Sequence, residues 1–401
     1  MEGKKDAFRS GADHALRVYS DITGLIASPD NPTPLVRVNR TGPARAFEVY
    51  LKLERYNPFG SVKDRIAIEM VKALNVDGRT LVEPSSGNTG IALTCVATAR
   101  GISVEIAVPK GVPEEKKVML RFLGARVTEA DDQLCPLFPT EGARGLVNAL
   151  VNSPATQAQY VSPNQYENHL NVEAHYRGTG PEIWRQTQGR VTHFFAGYGT
   201  CGTITGVARY LKEQDPRVKV IGVEPASSGH KLPGLKRITG LDDGLVPKIL
   251  DRSLIDDSVQ VSDEDAYGTA IELARKDGIP VGPTTGAILH AALRYPIPAG
   301  GLAVVISPDD AFKYTSFYKA WLDKEPGAVR ARDFDLSGLV CPLSRVRAME
   351  LLDGMAAGET AQFVLGNAES LASVAQELKA RRMRPEFRQE GEDRFILAVT
   401  K

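Results

Sequence analysis

Lys63 stands in the stretch NPFGSVKDR, behind a Pro-Phe-Gly turn and two residues into a predicted helix, with Ser61 as a possible cap. A lysine amine attacks a carbonyl or moves a proton only when it is deprotonated. A lysine on its own reads as a solvated surface charge, so its surroundings decide. Three Gly-rich turns follow, read as strand-to-helix junctions: SSGNTG (Ser85 to Gly90), GYGTCGTITG (Gly197 to Gly206) and GPTTGA (Gly282 to Ala287). Glycines let the backbone approach a ligand, and helix N-termini offer N–H groups and a positive dipole end to anions. Each turn alone says little, and the sequence has neither a Walker motif nor a GxGxxG dinucleotide fingerprint. A second nucleophile is Cys341, followed by Pro342 at the start of another predicted helix. A helix N-terminus lowers a thiol pKa, and Arg345 and Arg347 would assist. The plain alternative for Cys341 is a small buried hydrophobe.

These groups need elements to hold them. Between about residues 45 and 310 the pattern alternates strands and helices: FEVYLKLE, TLVEPSS and SVEIAVP read as strands, SVKDRIAIEMVKAL as an amphipathic helix, and GNTGIALTCVATARG and PEEKKVMLRFLG as further helices. VTHFFAGYG, KVIGVEP and LAVVISPD are short apolar runs stopped by Gly, Pro or Asp, as buried parallel strands are. The α/β class follows. DKEPGAVRARDFD is polar, with Pro and Gly, and residues 321–333 read as a linker. Beyond it come a helix after Cys341, the strand ETAQFVLG, the helix SLASVAQELKARRM and the strand FILAVTK, enough for a two-layer domain over 334–401.

At 401 residues, two or three domains are expected. Lys+Arg and Asp+Glu both total 49, so the net charge is zero, which argues against a general nucleic-acid binder. No apolar run of spanning length occurs, and the first twenty residues lack the apolar core of a secretory signal. Cys95, Cys135, Cys201 and Cys341 are scattered without CxxC spacing, so no disulfide framework or metal site is expected, and a reducing cytoplasm is.

NPFGSVKDR, EPSSGNTGIAL and GTCGTITG, with PTPLVRV, NQYENHLNVEAHYRGTGPEIW and IGVEP, occur in an order that resembles the pyridoxal-phosphate enzymes of fold type II. Within them the chain is most similar to the cysteine synthases, with cystathionine β-synthase a close relative. The resemblance covers about residues 22 to 320. It implies two three-layer α/β/α domains, with a smaller mobile subdomain over about 60–165, and pyridoxal 5'-phosphate as cofactor. Lys63 matches the Schiff-base lysine, and Asn88 the partner of the cofactor's ring hydroxyl. Ser85, Ser86, Asn88 and Thr89 match the loop that grips the substrate carboxylate, with Gln165 as a further contact. Gly199, Thr200, Cys201, Gly202 and Thr203 match the phosphate cradle, and Thr284 the hydroxyl facing the pyridine nitrogen. A hydroxyl there leaves that nitrogen neutral and favours expulsion of a β-leaving group over amino transfer. The implied reaction makes L-cysteine from an O-activated serine (O-acetylserine or O-phosphoserine) and sulfide, thiosulfate or carrier-borne sulfur. The alternatives are condensation of serine with homocysteine and a non-catalytic sulfur-relay or regulatory protein. Two departures stand out: Cys201 where glycine is common, and Pro283-Thr284 in place of Ile-Ser. HKLPGLKR resembles the cysteine synthases that admit larger anionic sulfur donors, which makes Lys236 and Arg237 candidates for an anion. A solvated basic pair is the alternative.

LSGLVCPLSRVRAMELLDGMAAGE resembles the TusA/SirA-like sulfur carriers, two-layer α/β sandwiches with a Cys-Pro at the start of the first helix. Ser344 stands where that family often has a second proline. The resemblance implies a persulfide on Cys341 and a sulfurtransferase or other persulfide-donor protein to load it. A homodimer is carried over from the enzyme family.

Overall fold

Apolar runs that stop at Gly, Pro or Asp become the central strands. The computed structural model describes residues 18–85, 87–131, 140–241, 243–323, 331–391 and 393–401. Two units divide the chain, Met1–Tyr314 and Thr315–Lys401. The strands of the first, among the described residues, are β1 (Leu35–Arg37), β2 (Glu48–Leu53), β3 (Thr80–Pro84), β4 (Val104–Pro109), β5 (Arg126–Ala130), β6 (Tyr160–Val161), β7 (His193–Gly197), β8 (Lys219–Pro225), β9 (Asp257–Val261) and β10 (Leu302–Ser307). They form a six-stranded sheet ordered β1-β2-β10-β7-β8-β9 and a four-stranded sheet ordered β5-β4-β3-β6. Every pairing is parallel except β1 with β2 at the edge. Phe194, Phe195, Val220, Ile221, Val304 and Val305 are fully buried, as expected where helices cover both faces of a parallel sheet. In open parallel sheets, ligands bind beyond the carboxyl ends of the strands. The ends of β3, β7 and β10 carry SSGN, GYGTCG and PDD.

One of the three turns is a different kind of junction from the one expected. GPTTGA joins two helices, Asp263–Asp277 and Pro283–Arg294, and no strand precedes it. Ile279 and Val281 are buried there, but they pack without entering a ladder.

The helix of Lys63 also departs from expectation. It runs Lys63–Ala73, and Asp64, Arg65, Ile66, Ala67, Ile68, Met70 and Val71 are all buried, so Asp64 and Arg65 do not lie on its solvent face, which Glu69 and Lys72 mark. Val62 holds the cap position, while Ser61 Oγ accepts the Lys63 N–H at 3.2 Å. Asp64 accepts from the Phe59 N–H at 2.6 Å and from Ser61 Oγ at 3.1 Å, which fixes the Pro-Phe-Gly turn. Arg65 reaches Glu54 at 2.6 Å and Glu182 at 2.6 Å, and Lys52 meets Glu182 at 2.7 Å. Two cations face two carboxylates with almost no exposure, the condition under which buried charge is tolerated. On its apolar side the helix packs Ile66, Met70 and Val71 with Leu81, Leu93 and Ile106 of the smaller sheet's layer.

The second unit has a sheet of β11 (Ala331–Asp335), β12 (Thr360–Leu365), β13 (Glu386–Gly391) and β14 (Arg394–Thr400), ordered β11-β12-β14-β13. Helices Leu343–Asp353 and Ala368–Ala380 pack Ala348, Leu352, Val374 and Leu378 onto Phe363, Leu365 and Leu397. The segment read as a linker is structured at both ends. Trp321 and Leu322 close a helix, Thr315–Leu322, and Ala331–Asp333 open β11, while residues 324–330 lie outside the described ones. The ARDFD strand hid in the sequence because it is an edge strand. Its Phe334 stacks on Phe363 at 5.7 Å, and Arg332 pairs with Glu359 at the surface.

Among the described residues, no helix is long and apolar enough to cross a membrane, and no cluster of His, Cys, Asp and Glu could hold a metal.

Candidate active site

The carboxyl ends of β3, β7 and β10 and the starts of the helices that begin at Lys63, Asn88, Gly142, Gly202 and Pro283 border a cavity of about 340 Å³, within the range of small-ligand sites. Lys63 lies in its wall as the first residue of its helix. Burial pushes its amine down to about 8, against the opposing pull of the nearby Cys201 and Asp309. Near neutral pH such an amine surrenders its proton far more readily than a surface lysine.

Asn88 opens the helix Asn88–Thr98 after the first Gly-rich turn. Its Nδ2 donates to Asp309 Oδ2 at 2.6 Å, and its Oδ1 accepts from Lys313 Nζ at 3.1 Å, so both ends of the amide are held. Asp309 also accepts from the Tyr314 hydroxyl at 2.5 Å. Burial raises its pKa, and its Oδ1 is buried with no hydrogen-bond partner.

In the same turn, Ser85 Oγ accepts the Gly90 N–H at 2.9 Å and so caps the helix. That leaves its proton for a ligand. Thr89 donates to Gln165 Oε1 at 2.7 Å. Glu83, at the end of β3, accepts from the N–H groups of Asn164 and Gln165, each at 3.1 Å, and from Ser162 Oγ at 3.0 Å. Burial pushes Glu83 up to about 7. Ser86 lies outside the described residues.

The second turn is shaped by close approaches. A Cβ on Gly199 would sit 2.7 Å from the Gly234 carbonyl oxygen, and one on Gly202 would sit 1.9 Å from Asn171 Oδ1. Cys201 holds a left-handed φ of 70° at the cap of helix Gly202–Gln214, a conformation that costs a non-glycine residue energy. Its side chain belongs to the apolar cluster with Tyr198 and Ile204, and burial pushes the thiol up to about 12. Thr200 and Thr203 line the cavity. Behind Thr203 Oγ1, at 3.1 Å, is Nε2 of His175, whose Nδ1 meets Thr179 Oγ1 at 2.9 Å. Burial, with Arg65 and Lys63 nearby, pushes His175 down to about 3, so it is a neutral ring there.

Thr284, at the start of helix Pro283–Arg294, lines the cavity and donates to the Pro233 carbonyl at 2.7 Å. Lys236 also lines it, with Nζ 4.2 Å from the centroid of Tyr166 and no hydrogen-bond partner among the described residues. Arg144 lies over the same ring at 4.7 Å. Arg237 is not part of the cavity wall, and its Nε is buried without a partner. Cys341 belongs to the second unit, half-buried two residues before helix Leu343–Asp353.

Sequence reasoning passed over Asp309, Tyr166, Arg144 and Asn171. For Asp309 there was a signal: a carboxylate directly beyond the apolar run LAVVIS falls at the carboxyl end of a central strand. The others lie in helices or loops whose partners are remote in sequence.

A desolvated lysine amine facing a helix-capped turn, backed by threonine hydroxyls and a neutral histidine, defines an α/β enzyme that binds a phosphorylated carbonyl compound. The donor set fits such a group: an amine for the carbonyl, and N–H and hydroxyl donors for the dianion. The chain belongs to the family of pyridoxal-phosphate dependent enzymes, whose profile it matches over residues 26–309. It is 42% identical over 295 residues to a cysteine synthase of Aquifex aeolicus, covering 70% of this chain and 88% of that one. It is 38% identical over 290 residues to cysteine synthase B of Salmonella typhimurium, covering 71% and 92%. Among solved structures it is similar to a hydrogen sulfide-producing enzyme from Fusobacterium nucleatum, at 33% identity and a TM-score of 0.66 over 74% of this chain and 98% of that one. It is also similar to a cysteine synthase from Entamoeba histolytica, at 30% identity and a TM-score of 0.66, covering 79% and 95%.

Proposed function

We propose that the chain is a cysteine synthase that replaces the β-substituent of an O-activated serine with sulfur. The observation that carries this reading is the Lys63 amine, held near 8 between a carboxylate-binding turn and an anion cradle. Bound pyridoxal phosphate supplies a conjugated ring that stabilises negative charge at the substrate's α-carbon. With it in place, Lys63 would take the α-proton as acetate or phosphate leaves the β-carbon with its bonding pair, and would return a proton to the α-carbon once a sulfur nucleophile has added at the β-carbon. Ser85, Thr89 and Gln165, with Ser86 from the same turn, hold the substrate carboxylate. Asn88, its amide held by Asp309 and Lys313, presents a donor to the ring hydroxyl. The loop from Gly199 to Thr203 takes the phosphate, and Cys201 contributes backbone while its side chain packs in the core. Thr284 would present a hydroxyl rather than a carboxylate to the ring nitrogen, turning its proton away from the Pro233 carbonyl. Lys236, with its amine over Tyr166, is the cation for an anionic leaving group or sulfur donor. The test is direct: purified protein should absorb in the visible, and O-acetylserine and O-phosphoserine should be assayed side by side for cysteine formation with sulfide. Failure with both esters overturns the reading.

The second unit is proposed as a TusA/SirA-like carrier whose Cys341 bears sulfur as a persulfide passed to it from a donor protein's persulfide; a thiol reductant would break the S–S bond, regenerate the Cys341 thiol and release sulfide for the enzyme unit of a homodimer. Its support is the two-layer sheet-and-helix arrangement together with a half-buried Cys-Pro at a helix entry. Cys341→Ser should lose transfer of protein-borne sulfur and keep full turnover with free sulfide. Equal rates for both proteins with a persulfide donor would remove the carrier role.

A further inference from the structure

Asn171 is fully buried in the short helix Leu170–Ala174, between the carboxylate turn and the anion cradle. Its Nδ2 donates to the Gln165 backbone carbonyl at 2.8 Å and to Thr200 Oγ1 at 3.1 Å. The Gln165 carbonyl can only accept, so the amide nitrogen must face it and the orientation of the side chain is fixed. Thr200 Oγ1 therefore accepts from Asn171 and must send its own proton elsewhere. Among the described residues that proton has no acceptor, and Thr200 borders the cavity. The other end of the amide completes the picture. Asn171 Oδ1 is buried without a hydrogen-bond partner, pressed against Gly202 so closely that a Cβ there would come within 1.9 Å. A buried orphan acceptor is costly, and among the described residues the only bonds the amide makes are the two through nitrogen.

We propose that Asn171 is a positioning residue that aims the Thr200 hydroxyl proton at the cofactor's phosphate and ties that aim to the backbone of Gln165. The proposal rests on the cradle reading above. Gly202 is glycine for the same reason: it leaves room for the amide, since its φ is not in the left-handed region.

The test compares the affinity of cofactor-free protein for pyridoxal phosphate and for pyridoxal, which lacks the phosphate, by absorbance or fluorescence titration. Asn171→Ala should weaken pyridoxal phosphate binding about tenfold, the scale of one hydrogen bond to a charged group, and leave pyridoxal binding unchanged. Thr200→Val should do the same, and the double variant should lose no more than either single one, because both remove one interaction. Gly202→Ala, whose methyl displaces the amide, is the second route should Asn171→Ala fail to fold, and it should reproduce the loss. An unchanged ratio of the two affinities in Asn171→Ala or Gly202→Ala overturns the proposal, as do losses that multiply in the double variant. Wild-type protein that binds neither compound overturns the cofactor reading itself, which separates the two failures.

Discussion

Lys63 and Cys341 are both candidate nucleophiles at the start of a helix, and the molecule treats them oppositely. Lys63 is enclosed: the first turns of its helix are buried, a charge network holds Arg65 two residues on, and Lys63 lines a walled cavity. Cys341 is half-buried in a small unit, with Val340, Leu343 and Val346 exposed around it. Enclosure tunes the lysine through desolvation and fixes what it can touch. A half-buried thiol keeps access to larger partners. A group that works on one bound molecule wants walls, whereas a group that must be handed cargo wants an approach.

The comparison breaks first at Lys63. Lys63→Ala should lower turnover by at least about 10³-fold and abolish visible absorption at equal protein concentration. Retained activity would mean that enclosure serves only packing. Next comes the charge network: Arg65→Met leaves Glu54 and Glu182 facing Lys52 alone, and should cost about 3–5 kcal/mol in chemical denaturation.

Enclosure also has a pH signature. The Lys63 amine sits at about 8 in the folded chain against 10.5 in an exposed lysine. Below pH 8 both folded and unfolded chains hold the proton, and the burial penalty is present in full. Between 8 and 10.5 the unfolded chain binds more protons, so stability of the cofactor-free protein rises with pH. Lys63→Met should be more stable than wild type at pH 7 by a few kcal/mol, with that rise abolished. A parallel pH dependence in both proteins would place the shift elsewhere. The smallest effect belongs to the second unit, where Ser344 donates to Ser370 Oγ at 3.0 Å, both fully buried. Ser344→Ala should cost about 1 kcal/mol in the second unit's unfolding without changing turnover with sulfide.

Legibility in the sequence followed the same division. LAVVIS and VIGV could be read as strands because burial on both faces demands continuous apolar runs. Lys63, Asn88 and the cradle could be read because they sit in contiguous motifs. β11 and β13 could not, since edge strands tolerate the charges of ARDFD and EFRQEG. SVKDRIAIEMVKAL reads as an amphipathic helix, and the burial of Arg65 and Asp64 is not legible there because their partners, Glu182 and the Phe59 turn, meet them only after folding. Asn171 was hidden for the same reason, since Thr200 lies 29 residues away. GPTTGA was misjudged because a Gly-Pro turn looks alike after a strand and after a helix.

The ion pair between Arg65 and Glu182 spans 117 residues. On a ribosome, the segment carrying Lys63 emerges long before its counter-charge does. Until Glu182 is made, closing the first helix would strand a guanidinium with only part of its neutralisation. The environment of the reactive amine is thus complete only once nearly half the chain has been synthesised.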